Sequence, residues 1–140
     1  MDNALIQQSD VLSLPALFRA RLMKTPHAMA YRQYDIASQT WTQSTWKEMS
    51  NEISRWQKAF QKDGLQAGDK VAIMVKNSRE WVVFDQAALG LGLVTVPLYV
   101  DDRTENVAYI INHAEVKLLF LQDKSQWKRL LKADVDLGGL

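Results

Sequence analysis

Apolar positions along the chain recur with two periods, and the change of period marks the elements. Ser13 precedes Leu14-Pro15, and Leu17, Phe18 and Leu22 follow at helical spacing. A serine N-cap, a proline in the first turn and a Thr25-Pro26 stop predict a helix there. Ala28–Tyr34 and Gln39–Ser44 are short and rich in Tyr, Trp and Thr, with Asp35-Ile36-Ala37-Ser38 between them. They predict a β-hairpin with a four-residue connection. Thr45-Trp46-Lys47-Glu48 then has the form of a capping box. Behind it Trp46, Met49, Ile53, Trp56 and Phe60 share one helical stripe, with Lys, Glu, Gln and Asn opposite. Gly64 supplies the left-handed terminator.

The pattern changes at Val71-Ala72-Ile73-Met74-Val75, a continuous apolar run of the kind that forms a parallel strand buried on both faces. Lys76-Asn77-Ser78 breaks it, with Asn77 or Ser78 as N-cap of a helix over Arg79–Leu91. That helix is apolar nearly all round and so predicted to be sandwiched. Gly90 and Gly92 end it, and Val94–Leu98 forms the next strand, where Pro97 removes a donor on one side. Asp102-Arg103-Thr104-Glu105 repeats the capping-box form. Val107, Ile110, Ile111 and Ala114 make the inward stripe of a helix. Val116–Leu121 reads as another buried strand, and Trp127, Leu130 and Leu131 mark a last short helix. The order β-α-β-α-β-α from Val71 implies a mainly parallel sheet with flanking helices. The fold class is therefore α/β with an N-terminal hairpin. Residues 1–12 are expected to be a flexible arm, 13–133 the α/β subdomain, and 134–140 a frayed end.

Composition narrows the function classes. The 140 residues suffice for one hydrophobic core, and 47% hydrophobic with 24% charged is ordinary for a globular chain. Seventeen Lys and Arg stand interleaved with sixteen Asp and Glu, so no nucleic-acid footprint is expected. The absence of cysteine removes disulfides, thiolate catalysis and Cys-based zinc sites, and suits a reducing cytoplasm. The N-terminus has no basic region followed by an apolar core, so it does not read as a signal peptide. The uncharged run Gln86–Val100 contains two glycines and a proline, and falls short of the roughly 20 residues a bilayer span needs.

A search for chemistry returns little. Gly90-Leu91-Gly92 lies after a helix and before a strand, the reverse of a dinucleotide fingerprint, so packing and helix termination explain it. Asp101-Asp102 follows a strand, where open α/β sheets place ligands, but an acidic N-cap beside a solvated neighbour accounts for the pair. His27 lies in a turn and His113 at a helix end; neither has the company a zinc site needs. No serine sits in a nucleophile elbow. Trp46, Trp56 and Trp81 fall on core-facing positions, whereas Trp41 and Trp127 are less constrained.

The wording of the segments carries further. Thr40-Trp41-Thr42, Thr45-Trp46-Lys47-Glu48-Met49 and Gly64-Leu65-Gln66-Ala67-Gly68-Asp69-Lys70-Val71-Ala72-Ile73-Met74 resemble the start of the AMP-forming acyl-CoA synthetases, in the adenylate-forming ligase superfamily. The resemblance continues through Asn77-Ser78-Arg79-Glu80-Trp81, Ala87-Ala88-Leu89-Gly90, Val94–Tyr99 and Ala108–His113, covering about residues 13–125. No piece is diagnostic alone; their order and spacing are. Asn-Ser-x-Glu-Trp and Val-Thr-Val-Pro-Leu-Tyr look most like the long-chain fatty-acid–CoA ligases.

That resemblance implies an enzyme that consumes ATP, a fatty acid and CoA with Mg²⁺, through an acyl-adenylate and release of pyrophosphate. It implies that this stretch is an N-terminal portion whose main partner is the rest of its own polypeptide. The family's phosphate loop, acidic adenylate motif, ribose-binding Asp and C-terminal catalytic Lys lie later in such enzymes. No catalytic, cofactor-binding or metal residue is therefore carried over, and no cofactor is expected to bind this stretch alone. The sequence departs from the family after Tyr99, where Val100-Asp101-Asp102 replaces a Pro-Thr type continuation. Topology makes Asn77, Ser78, Tyr99, Asp101 and Asp102 the candidate crevice residues, on loops at the carboxyl ends of strands. The expected location is cytoplasmic, with peripheral membrane association open, and apolar surface left uncovered on a solitary piece favours a homodimer. Two rivals stand beside this reading. One is an adenylating enzyme for another carboxylate; the other is a free-standing, non-catalytic binding module.

Overall fold

The computed structural model describes residues 5–132. The architecture is set by one strand, β3 (Lys70–Met74), whose Val71, Ala72, Ile73 and Met74 are all fully buried. Alternate side chains of a strand point to opposite faces. Val71 and Ile73 accordingly join α2 (Trp46–Lys62) and α3 (Arg79–Gly90) in one core cluster. Ala72 and Met74 join α4 (Thr104–His113) and α5 (Lys124–Lys132) in the other. β3 lies at the centre of a three-stranded parallel sheet, between β4 (Val94–Pro97) and β5 (Val116–Leu121). The first cluster is held by an aromatic knot. Phe84 stacks on Phe120 at 5.3 Å between centroids, and Trp56 meets Phe120 edge-on at 4.9 Å. Phe60 meets Phe84 at 5.4 Å, so α2, α3 and β5 converge on one set of rings.

The N-terminal elements form around local signals. Gln8–Asp10 makes a 3-10 turn. Ser13 caps α1 (Leu14–Lys24), its hydroxyl accepting from the Ala16 amide at 3.3 Å. β1 (Met29–Asp35) pairs antiparallel with β2 (Thr40–Thr45), one residue later at each boundary than expected. The Asp35 carboxylate shapes the turn by accepting from the Ala37 amide and the Ser38 hydroxyl, and Gln39 absorbs the left-handed step at φ 54°. At the next boundary the expected capping box is complete: the Glu48 amide donates to Thr45 Oγ1 at 3.2 Å, and the Thr45 amide to Glu48 Oε2 at 2.7 Å. Gly92 holds φ +73°, and its carbonyl accepts from the Gly68 amide at 2.8 Å, joining the turns before β3 and β4. Gly90 does not share that strain and closes α3 as its last residue.

Three expectations are corrected. Asp102 does not cap α4 through a capping box, because the N-cap is Arg103, one residue later. The Asp102 carboxylate is spent on the Arg103 amide at 2.7 Å and the Asn106 side chain at 3.0 Å. In β5 only Val116 is buried; Leu118 to Leu121 are half-buried and Lys117 is exposed, because β5 pairs on one side only among the described residues. In α5, Gln126 is buried and Leu131 is 57% exposed. Gln126 is drawn in because its side-chain oxygen accepts from the Gln122 amide at 2.8 Å, which rotates the helix and turns Leu131 outward. Trp127 packs against the second cluster, whereas Trp41 is exposed. Residues 1–4 of the expected arm, residue 133 and the whole of the expected frayed end, 134–140, lie outside the described residues.

Two stability predictions follow from these contacts. Glu115 sits after α4 in the left-handed region at φ 53°, where glycine is the usual occupant. Releasing that strain outweighs the extra chain entropy of glycine, so Glu115→Gly is expected to raise unfolding stability by about 0.5–1 kcal/mol in urea titration. The Asp69 carboxyl is held below its ordinary pKa, first by the hydrogen bond from Lys117 and then by the Gln66 amide. A carboxyl lowered in the folded state stabilises above the unfolded value, about pH 4, and loses that contribution as pH falls toward the folded value. The urea midpoint of the wild type is expected to drop below about pH 4, and Asp69→Asn to flatten part of that drop.

Candidate functional site

β3 and β4 run parallel, so their carboxyl ends open on the same side of the sheet, and there the chain forms a cleft of about 580 Å³. Its walls come from the end of β3 (Val75), the loop into α3 (Lys76, Asn77), the first turn of α3 (Trp81) and the segment leaving β4 (Pro97 to Val100). The lining is apolar along Val75, Trp81, Leu98 and Val100, and polar at Lys76, Asn77 and Tyr99. Among the described residues no carboxylate lines it. Tyr99 stands 84% exposed at the rim.

The loop that forms this wall is held by side chains far away in sequence. The Lys76 amide donates to Gln122 Oε1 at 3.2 Å, and the Arg79 amide to Gln33 Oε1 at 2.6 Å, each across 46 residues. Gln122 is itself fixed through its amide by Gln126. Ser78 caps α3 by accepting from the Trp81 amide at 3.2 Å. Two of the first three amides of α3 are thereby engaged by the protein itself, which leaves the helix end unlike a phosphate cradle.

Beside the loop, under the hairpin, lies a polar hollow of about 750 Å³ centred on Arg79. Its guanidinium pairs with Glu52 at 2.7 Å and Glu80 at 3.5 Å, and donates to the Ser44 hydroxyl. Burial works against the Arg79 charge, but the Glu52 and Glu80 carboxylates outweigh it and raise the pKa. Glu48, on the same wall, is held below its ordinary value by the Thr45 amide, then by the Thr45 hydroxyl and the Arg79 charge. Every strong group here has its partner, so the cluster joins hairpin, α2 and α3 rather than presenting reactive atoms. Among the described residues no group of three or more His, Cys, Asp and Glu is arranged to hold a metal ion.

Of the residues singled out from topology, Asn77 and Tyr99 line the cleft together. Ser78 stands next to it as the α3 cap, while Asp101 and Asp102 do not line it. Trp81, assigned to the core by its spacing, does both: it packs on the first cluster and forms cleft wall. Gln33 and Gln122 carried no signal, because a glutamine that reaches across 46 residues leaves no mark in local pattern.

Comparison with known proteins gives this geometry a setting. The family model described as AMP-binding enzyme matches residues 18–138. The chain is 35% identical over 85 residues to the long-chain-fatty-acid–CoA ligase FadD15 of Mycobacterium bovis, covering 61% of this chain and 14% of that protein. It is 30% identical over 117 residues to long chain acyl-CoA synthetase 3 of Arabidopsis thaliana, covering 81% of this chain and 18% of that protein. The chain thus spans less than a fifth of the length of these relatives. Among solved structures, VinN superposes with a TM-score of 0.78 at 20% identity, over 85% of this chain and 29% of that one. The N-terminal subdomain of Klebsiella oxytoca NpsA, in complex with 3-hydroxyanthranilyl-AMSN, gives 0.74 at 21%, over 87% and 30%. The fold is that of the N-terminal subdomain of adenylate-forming enzymes.

The glutamine contacts make a local prediction. Losing one hydrogen bond of about 1 kcal/mol corresponds to a factor of about five. Gln33→Ala is expected to speed hydrogen exchange of the Arg79 amide by about that factor, with amides of β3 unchanged, as read by NMR. Equal acceleration throughout the chain would mean that Gln33 serves global stability instead.

Proposed function

The chain belongs to the AMP-binding enzyme family, and from that premise we propose that it is the N-terminal portion of an ATP-dependent long-chain fatty-acid–CoA ligase. The observation that carries the reading is the match over 81% of this chain to a long chain acyl-CoA synthetase at 30% identity. In such a reaction the fatty carboxylate attacks the α-phosphate of ATP and pyrophosphate leaves. The CoA thiolate then attacks the acyl carbonyl and AMP leaves. Splitting the step replaces a poor leaving group, oxide, with a good one, AMP.

This stretch is not catalytic alone. The residues present do not fit ATP or Mg²⁺: the α3 amides are engaged by Gln33 and Ser78, and the described residues offer no metal cluster. Its share in the enzyme is a scaffold and one wall of the acyl or CoA crevice. The cleft suits that share, with an apolar wall at Trp81 and Leu98 and with Lys76, Asn77 and Tyr99 at the rim. The rest of the polypeptide supplies the reacting groups, and the place of work is the cytoplasm or a membrane surface facing it.

The test is ATP–pyrophosphate exchange by a longer polypeptide that carries these residues, against a panel of carboxylates. Exchange dependent on long-chain fatty acids is expected. Exchange dependent only on aryl or amino acids would move the protein to another branch of adenylating enzymes, and none at all would sink the ligase reading. The 140-residue chain by itself is expected to give none. In the active polypeptide, Asn77→Ala and Tyr99→Ala are each expected to raise KM for the acid or for CoA about fivefold, the loss of one hydrogen bond. Unchanged KM for both would remove these residues from the crevice.

A further inference from the structure

Helix α1 packs on the fold without fully burying any of its own residues. Between it, the hairpin and α3 lies a hollow of about 370 Å³ that shares no residue with the cleft. That volume falls within the range of small-molecule sites, about 300–1,000 Å³. Phe18 of α1, Tyr31 of β1 and Trp46 at the start of α2 supply an aromatic wall. The Trp46 ring is met edge-on by Phe18 at 5.5 Å and by Tyr31 at 6.0 Å between centroids. Leu14 and Leu17, 61% and 41% exposed, form an apolar lip. The polar groups of the lining are the Arg21 guanidinium, the Gln86 amide and the Tyr31 hydroxyl, on three half-buried residues. None of these groups has a hydrogen-bond or ion-pair partner among the described residues. Burial raises the Tyr31 pKa, so its hydroxyl remains a donor. Among the described residues no carboxylate lines the hollow. Packing accounts for the rings, and the last turn of α1 suits a cation. Neither accounts for a half-buried guanidinium beside two unengaged donors with no acid in the wall.

We propose that this hollow is a binding site for a small apolar carboxylate, whose body lies against Trp46, Phe18 and Leu17 and whose charged end meets Arg21. The proposal goes beyond the ligase reading and does not depend on it. A guanidinium takes a carboxylate through two parallel N–H bonds, which fixes the orientation as well as the charge. The Tyr31 hydroxyl and the Gln86 amide are further donors in the same lining. The apolar body removes ring and leucine surface from water, the gain that offsets ordering the ligand. A cationic ligand would face Arg21 with no acid to receive it. A doubly charged phosphate ester would bring more charge than one guanidinium balances. A linear chain and an aromatic ring both suit the wall, so the shared chemistry is a monocarboxylate with an apolar body.

The experiment is an NMR titration of the isotope-labelled 140-residue chain with octanoate and with phenylbutyrate, and with octanol and phenylbutanol as uncharged controls. A saturable shift of the Trp46 indole N–H is expected with the acids, and weaker binding of the alcohols. Arg21→Gln is expected to weaken acid binding about tenfold, the loss of a charge-assisted hydrogen bond, and to leave the alcohols unchanged. Leu17→Glu, at an exposed position, puts a carboxylate one helical turn before Arg21, where it takes the guanidinium for itself. It is expected to cut acid binding about as much with far-ultraviolet circular dichroism unchanged. A response to one acid alone supports the proposal and fixes the body as chain or ring. No saturable shift at Trp46, acids bound no tighter than alcohols, or acid binding that Arg21→Gln leaves unchanged would overturn it. So would a shift at the Trp81 indole without one at Trp46, since the acid would then sit in the cleft, and the ligase reading would stand. Fatty-acid-dependent exchange by a longer polypeptide can succeed or fail independently of the Trp46 result.

Discussion

The constraint on which the structure depends is that β3 must be buried on both faces. A strand with Val71, Ala72, Ile73 and Met74 all removed from water leaves no face for solvent, so helices have to cover each side. α2 and α3 take one face and α4 and α5 the other. Parallel neighbours then follow, since each strand-to-strand connection has to cross the sheet as a helix. The aromatic knot of Trp56, Phe60, Phe84 and Phe120 fills the larger side, where rings from three elements meet. The smaller side is aliphatic and closes with Leu130.

The cleft is a consequence of the same constraint. Parallel strands end together, and the loops leaving β3 and β4 diverge to reach α3 on one face and α4 on the other. The space between them is the 580 Å³ cleft. What makes it a defined wall is polar and long-range: Gln33 and Gln122 hold the loop at Arg79 and Lys76. The hairpin thus contributes to the cleft indirectly. Arg79, paired with Glu52 and bonded to Ser44, couples hairpin, α2 and α3 at that point.

In the setting of adenylate-forming enzymes this arrangement divides labour. A doubly covered sheet holds the loops of the cleft in place. The α3 N-terminus, which borders the cleft through Trp81, is consumed in holding its own loop. With the Arg79 and Trp81 amides engaged by Gln33 and Ser78, that helix end has little left to offer a phosphate.

Much of the fold was legible in local pattern because the signals were local. The Ser13 and Thr45 caps, the α2 stripe, the Gly64 stop and the β3 run each act within a few residues, and each forms as the pattern predicts. The pattern misled where the outcome hung on one residue of register. Asp102 falls one position short of the N-cap, and Gln126 rotates α5 by reaching the Gln122 amide. For the site, topology put Asn77 and Tyr99 on adjoining loops, and the cleft does contain both. Trp81 as a wall and the two holding glutamines lay beyond that reasoning. By itself, the sequence determined which segments are helix or strand and that one strand is buried twice over, because hydrophobic period and capping are properties of neighbours. Only the tertiary structure decided which side chains meet across 46 residues and which loops wall the cleft, because those depend on how the layers pack.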